Sequence, residues 1–338
     1  MGIDSPLYIG IDLAIAKKKR LPVVACQWRE EQCLPLPLRS LDIVPPIGSG
    51  NIGALDPVAV CEFANEVSCY LQEISRYYSA PIARIAIDAP RAPALAVQGR
   101  RQCEVALDRA GISCIPTPVD VQVVQILAKA RMHIESGGAE SRIPHANQLW
   151  MIYGFELFRQ LEEIAPCLEV YPQLTVRLLE AGDTHKSKPG AVEYQRMVAA
   201  VHTGWPEDFG PQLGEVGHGA RHDQLDAFLA AWVAALPEPR RQAYGVPPHD
   251  VIWAPRVEAS KFRPTNEEKT AKAKPVSEPI STSLREHMVC PACQTYNFKR
   301  WPLGWDAHAA HRCEGVEGDS PEARKADFKA RFLVPVKR

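Results

Sequence analysis

The residues of this sequence best suited to chemistry are carboxylates that follow apolar runs. Leu7-Tyr8-Ile9-Gly10-Ile11-Asp12 and Ile82-Ala83-Arg84-Ile85-Ala86-Ile87-Asp88 each end in an aspartate, and His222-Asp223-x-x-Asp226 opens a strongly apolar stretch. Strand ends beside loops are where α/β folds expose reactive groups. Asp223 and Asp226, three apart on a helix, share one face. Two or three such carboxylates brought together make a hard, all-oxygen site suited to Mg²⁺ or Mn²⁺. Two such ions about 3.5–4 Å apart can activate a water and stabilise the leaving oxygen in phosphodiester hydrolysis. Each aspartate taken alone equally suits a turn or a helix cap, and Asp223 suits the positive end of a helix dipole. The chemical reading rests on the combination.

A second set of residues is spaced for zinc. Cys290 and Cys293 form a Cys-x2-Cys knuckle, and His308 and Cys313 follow at the spacing of a C2HC finger. Phe298 and Trp305 lie between them, where a finger keeps its small apolar core. A unit this short cannot fold on burial alone, so Zn²⁺ has to supply the stability. His311 competes for the fourth position, but His308 and Cys313 are the better-spaced pair. Lys299, Arg300 and Arg312 are offset by Asp306, Glu314 and Glu317, which leaves nucleic acid and protein both open as the finger's partner.

The elements that must position these groups follow from the pattern. Residues 7–13 and 22–28 read as a strand pair joined by the charged turn Lys17-Lys18-Lys19-Arg20, with a third strand expected at residues 38–44. Asp56-Pro57 opens a helix as N-cap and first helical residue, and Val60, Phe63, Ala64, Val67, Leu71 and Ile74 recur at helical spacing. Residues 82–87 form the strand that leads to Asp88. Helices are expected at 100–109, 119–131, 149–164, 191–201 and 223–236, and strands at 113–116, 167–171 and 251–254. Trp150, Tyr153 and Phe155 mix helix faces and read as core rather than as a base-stacking platform.

Composition bounds the rest. The chain has 338 residues, 46% of them hydrophobic and 23% charged, which excludes a wholly disordered chain and a coiled coil. No apolar run is long enough for a membrane span, and the N-terminus lacks a signal-peptide layout. A formal net charge of −1 means that any nucleic-acid contact needs a local basic patch. Outside the finger the cysteines are scattered singly, as expected of reduced thiols in a cytoplasmic protein. The composition turns polar after Glu258, and four segments are expected: a catalytic domain over 1–258, a polar linker over 259–283, the zinc-finger module over 284–315 and a charged tail over 316–338.

The stretches Gly10-Ile11-Asp12-Leu13-Ala14, Ala86-Ile87-Asp88-Ala89-Pro90, Arg101-x-Cys103-Glu104, Pro116-Thr117-Pro118, Glu169-Val170-Tyr171-Pro172 and His222-Asp223-x-x-Asp226-Ala227 stand in an order that resembles the "domain of unknown function 429" family of predicted ribonuclease H-like nucleases. The resemblance implies an α/β fold, with a ribonuclease H-like mixed sheet flanked by helices. It implies that Asp12 bridges two metals, that Asp88 stands on the neighbouring strand, and that Asp223 or Asp226 supplies the helix carboxylate. Glu169 belongs to the motif of this family, either as a further ligand or paired with Lys186 or Lys188. Lys17 and Lys186 are candidates for holding phosphate, and His222 for assisting proton transfer or orienting its loop.

The leading expectation is a metal-dependent nuclease whose finger helps to place DNA or RNA. One alternative is a non-catalytic adaptor on the same scaffold. An actin- or sugar-kinase-like ATP-binding protein is a further alternative, weakened because Leu-Ala-Ile-Ala-Lys after Asp12 carries no small Gly/Ser/Thr phosphate loop.

Overall fold

The structure is a computed structural model that describes residues 5–29, 32–179, 191–205, 214–256 and 320–332. The zinc-finger residues Cys290, Cys293, His308 and Cys313, the linker, and Lys186 and Lys188 lie outside the described residues.

The chain divides into two units, Met1–Asn266 and Glu267–Arg338. The first is built on a five-stranded mixed sheet of order β3-β2-β1-β4-β5: β1 (Leu7–Asp12), β2 (Val23–Arg29), β3 (Gln32–Pro35), β4 (Ile82–Asp88) and β5 (Cys167–Glu169). The first three strands form an antiparallel meander, and β4 and β5 run parallel to β1.

The third strand forms at Gln32–Pro35 instead of the expected 38–44. β3 ends at Pro35, because Pro35 and Pro37 have no N–H with which to extend the ladder, and Leu38–Ser40 folds as a 3-10 turn that buries Leu38. Residues 113–116 join no strand. The strand at 251–254 does form, but it pairs with Arg241–Val246 in a separate hairpin of β6 (Arg241–Val246) and β7 (Asp250–Pro255).

Alternation along the strands divides the core in two. Leu7, Ile9, Ile11, Ile85 and Ile87 face one side and pack with α2 (Pro57–Tyr77), which follows a short α1 (Gly50–Gly53), and with residues of the later helix at Ala146–Leu161. Asp56 caps α2 as expected, accepting the Val58 N–H at 2.9 Å. The chain continues through α3 (Gln102–Arg109), α4 (Asp120–Glu135), α5 (Ala146–Leu161), α6 (Pro172–Leu178), α7 (Ala191–Thr203) and α8 (Arg221–Ala235). Val24, Cys26, Ala86 and Leu168 face the other side and pack with α8, whose residues from Gln224 to Ala235 are all buried. Helix α8 is apolar all round because it is covered on every side.

Gly10 sets how closely α8 sits. A Cβ at that position would lie 2.0 Å from the Ala227 carbonyl oxygen and 2.3 Å from the Ala231 nitrogen, so only glycine allows this backbone-to-backbone approach. In the second unit, α9 (Pro321–Phe332) is helical, within the expected charged tail. Among the described residues no helix is long and apolar enough to cross a membrane.

Candidate functional site

Asp12 and Asp88 are direct register partners at the carboxyl ends of the parallel pair β1 and β4. Both lie on the face covered by α8, in phase with Gly10 and Ala86. Asp12 is buried and its amide donates to the Pro22 carbonyl at 3.2 Å. Helix α8 runs against β1. The Ala234 carbonyl near its C-terminus accepts from Arg84 in the first half of β4, and Ala227 and Ala231 lie over Gly10. Its N-terminus therefore arrives at the strand ends that carry Asp12 and Asp88. The neighbouring Gly219 lies against Pro22, and a Cβ there would sit 3.5 Å from that of Asp223.

The two helix aspartates are used differently. Asp223 is engaged at both oxygens: Oδ2 accepts the Ala220 N–H at 3.4 Å, closing the first turn, and Oδ1 meets His222 Nε2 at 2.9 Å. His222 thus leans on Asp223 at the helix start. Asp226 is 4% exposed, a carboxylate buried within an apolar helix. Among the described residues no three His, Cys, Asp or Glu side chains are gathered closely enough to hold a metal ion. Lys17 forms a surface ion pair with Glu140.

Glu169 has a partner that neither sequence alternative named. Its carboxylate receives both terminal nitrogens of Arg101, at 2.8 and 2.7 Å, and the Arg91 backbone N–H at 2.9 Å. Arg101 and Glu169 are both buried. Arg101 also lies 3.5 Å from the Thr117 hydroxyl and 3.5 Å from Asp250. The buried Glu104 accepts the Thr117 N–H at 2.7 Å, and Asp250 accepts the N–H groups of Gln102 and Cys103 at 2.7 and 3.2 Å.

This network ties together the ends of β5, α3 and β7. Burial works against the Arg101 charge, but the Glu169 carboxylate outweighs it and holds the guanidinium above its ordinary value. Burial pushes the Glu169 carboxyl up, and Arg101 and the Arg91 N–H pull it back. One signal in the sequence pointed here: a motif carboxylate inside an apolar strand needs a buried cation, and Arg101 heads another of the motifs.

The network forms one wall of a cleft beside Asp88. The cleft measures about 540 Å³ counting its open mouth, and Trp150, Tyr171, Ile115, Cys114 and Thr117 are among its lining residues. Trp150, read from the sequence as core, is partly buried against the core and also lines this cleft, whereas Tyr153 is fully buried. Burial, followed by the Asp88 charge, pushes the Tyr171 phenol up to about 12, so Tyr171 is neutral and within reach of that carboxylate's field. Helix α5 closes on the turn after Asp88 at Gly154, where a Cβ would lie 2.7 Å from that of Ala89.

These features define a mixed α/β protein with paired aspartates at the ends of two parallel strands and a cleft alongside. The chain belongs to the family described as "Protein of unknown function (DUF429)", which matches residues 10–250. No curated protein and no solved structure matches it.

Proposed function

We propose that the first unit is a ribonuclease H-like nuclease that hydrolyses phosphodiester bonds with Mg²⁺ or Mn²⁺. The observation that carries this reading is the in-register placement of Asp12 and Asp88 on the face beneath α8, at the ends of adjacent parallel strands. The five-stranded mixed sheet flanked by helices supports it, because that is the architecture that the sequence resemblance implies.

Asp12 and Asp88, with Asp226 or Asp223 from the helix, are the proposed ligands, and an ion would have to draw them together, since among the described residues no three such groups are gathered closely enough to hold one. Asp223 also closes the helix start and holds His222. Glu169 is assigned to positioning through Arg101 rather than to metal binding. When bound, a pair of divalent ions would activate water and neutralise the leaving oxygen. The chain's own part is to hold the carboxylates on rigid strand and helix ends, and Lys17 and Lys186 are proposed to hold phosphate. The finger residues Cys290, Cys293, His308 and Cys313 are proposed to bind Zn²⁺ and help to place the nucleic acid.

The test compares Asp12→Asn with Cys290→Ser on labelled single-stranded, double-stranded, hybrid and branched DNA and RNA, with each divalent ion. Asp12→Asn removes metal-binding charge with little change of volume, so the maximal rate should fall to background while affinity persists. Cys290→Ser should raise the substrate requirement at a similar maximal rate, as expected for loss of a tethered binding module. Wild-type turnover by Asp12→Asn on every substrate would refute the assignment.

A further inference from the structure

The cleft beside Asp88 has a charge balance that selects its occupant. The charged groups lining it are three carboxylates, Asp88, Glu104 and Glu169, against one guanidinium, Arg101. Arg101 is committed to Glu169 through two hydrogen bonds and cannot turn to a ligand without leaving a buried carboxylate unpaired. Among the described residues the lining therefore offers a phosphate or carboxylate no uncommitted cation, since the neighbouring Arg100 is itself paired with Glu104 and Asp108. The remaining lining is apolar and aromatic: Trp150, Tyr171, Leu107, Ile115 and Ile252, with the Thr117 hydroxyl as a polar edge. Such a space takes a flat, uncharged group, and it opens next to the carboxylate proposed to hold the metal.

We propose that this cleft receives one unpaired nucleobase of the strand being cut, with the adjoining phosphodiester directed to Asp12 and Asp88. Single-stranded or locally unpaired nucleic acid is then the substrate class, because a base held in a duplex stack cannot enter a side cleft without being extruded. Trp150 and Tyr171 supply aromatic surface that tolerates any base, and Thr117 supplies a hydrogen-bonding edge. The proposal rests on the nuclease reading for its substrate. Its geometry rests on the cleft alone.

The test uses the full chain without added Mg²⁺ or Mn²⁺, so that binding is read without cleavage. The probe is a short single-stranded oligonucleotide carrying 2-aminopurine, whose fluorescence is quenched on stacking against an aromatic ring. Quenching is expected on binding, and a matched oligonucleotide with an abasic site should bind more weakly. Trp150→Ala should weaken binding by about 10- to 100-fold, with Trp150→Phe restoring most of it as a control for folding. Equal binding of abasic and base-bearing strands, or wild-type affinity in Trp150→Ala, would overturn the proposal. So would binding of AMP without binding of the oligonucleotide, which would make the cleft a free-nucleotide site. Cleavage assays keep the two readings apart. Cleavage that ignores an abasic site refutes the base cleft alone, and quenching without cleavage under any divalent ion refutes the nuclease alone.

Discussion

Replacing Gly10 by alanine tests the contact on which the proposed site depends. The added Cβ would lie 2.0 Å from the Ala227 oxygen, 2.3 Å from the Ala231 nitrogen and 2.9 Å from the Ala231 Cα. The first of these is short by about 1.4 Å of the 3.4 Å at which ordinary contact begins. All three neighbours are backbone atoms of α8, so no side chain can rotate away and the helix itself has to retreat. Overpacking of a core costs about 1–3 kcal/mol, and a rigid backbone neighbour places this case near ~3 kcal/mol. For a domain of this size that corresponds to a melting temperature lower by roughly 6–12 °C.

The same retreat carries Asp223 and Asp226 away from Asp12 and Asp88 by on the order of 1 Å, well beyond the ~0.2 Å tolerance of a metal–ligand distance. Thermal unfolding followed by far-UV circular dichroism gives the stability change, and Mn²⁺ titration gives the effect on the site. Gly214→Ala, where a Cβ meets nothing within 4 Å, is the control. A Gly10→Ala protein that melts with the wild type would refute the close seating of α8 on β1 and, with it, the delivery of the helix carboxylates to the strand ends.

Two further outcomes follow from the Arg101 network. Arg101→Met should cost about 3–5 kcal/mol in urea unfolding, because it leaves the buried Glu169 carboxylate without its partner, and adding Glu169→Leu should recover much of that loss. A double variant no more stable than Arg101→Met would refute the pairing as the cause. Burial pushes the Asp250 carboxyl up, but the Cys103 side chain, the Gln102 and Cys103 N–H groups and Arg101 outweigh it and hold it below the ordinary carboxylate value. The unfolded chain then binds this proton more readily, so the contribution is fully present above about pH 4 and is lost as the pH falls through the folded value. Asp250→Asn should flatten the acid limb of stability against pH, and an unchanged limb would count against the assignment.

Much of the site was legible in the sequence because its residues sit where local pattern changes. Asp12 and Asp88 end apolar runs, Asp56-Pro57 opens α2, and Asp223 stands in the first turn of α8, all positions set by short-range propensity and capping. The third strand was misplaced because Leu38, Leu41, Ile43 and Val44 give residues 38–44 the stronger apolar pattern, whereas strand pairing is decided by the facing ladder of β2, which takes Gln32-Cys33-Leu34-Pro35.

Only the tertiary structure could decide which distant groups meet. Glu169 lies 68 positions from Arg101, and the pair forms because β5 and the start of α3 converge at one sheet end. The settings of Asp223 and Asp226 also separate only in the folded chain: the same helix face carries both, but the N-cap Ala220 N–H and His222 engage Asp223, whereas Asp226 is buried. The cleft beside Asp88 belongs to no segment of sequence at all. It is the space left where α3, α5, β5 and β7 fail to close, its lining drawn from residues as far apart as Asp88 and Ile252 and its charged groups from Asp88 to Glu169. Sequence patterns encode what each residue prefers locally, whereas pairing of buried charges and the shape of a void are properties of packing between segments.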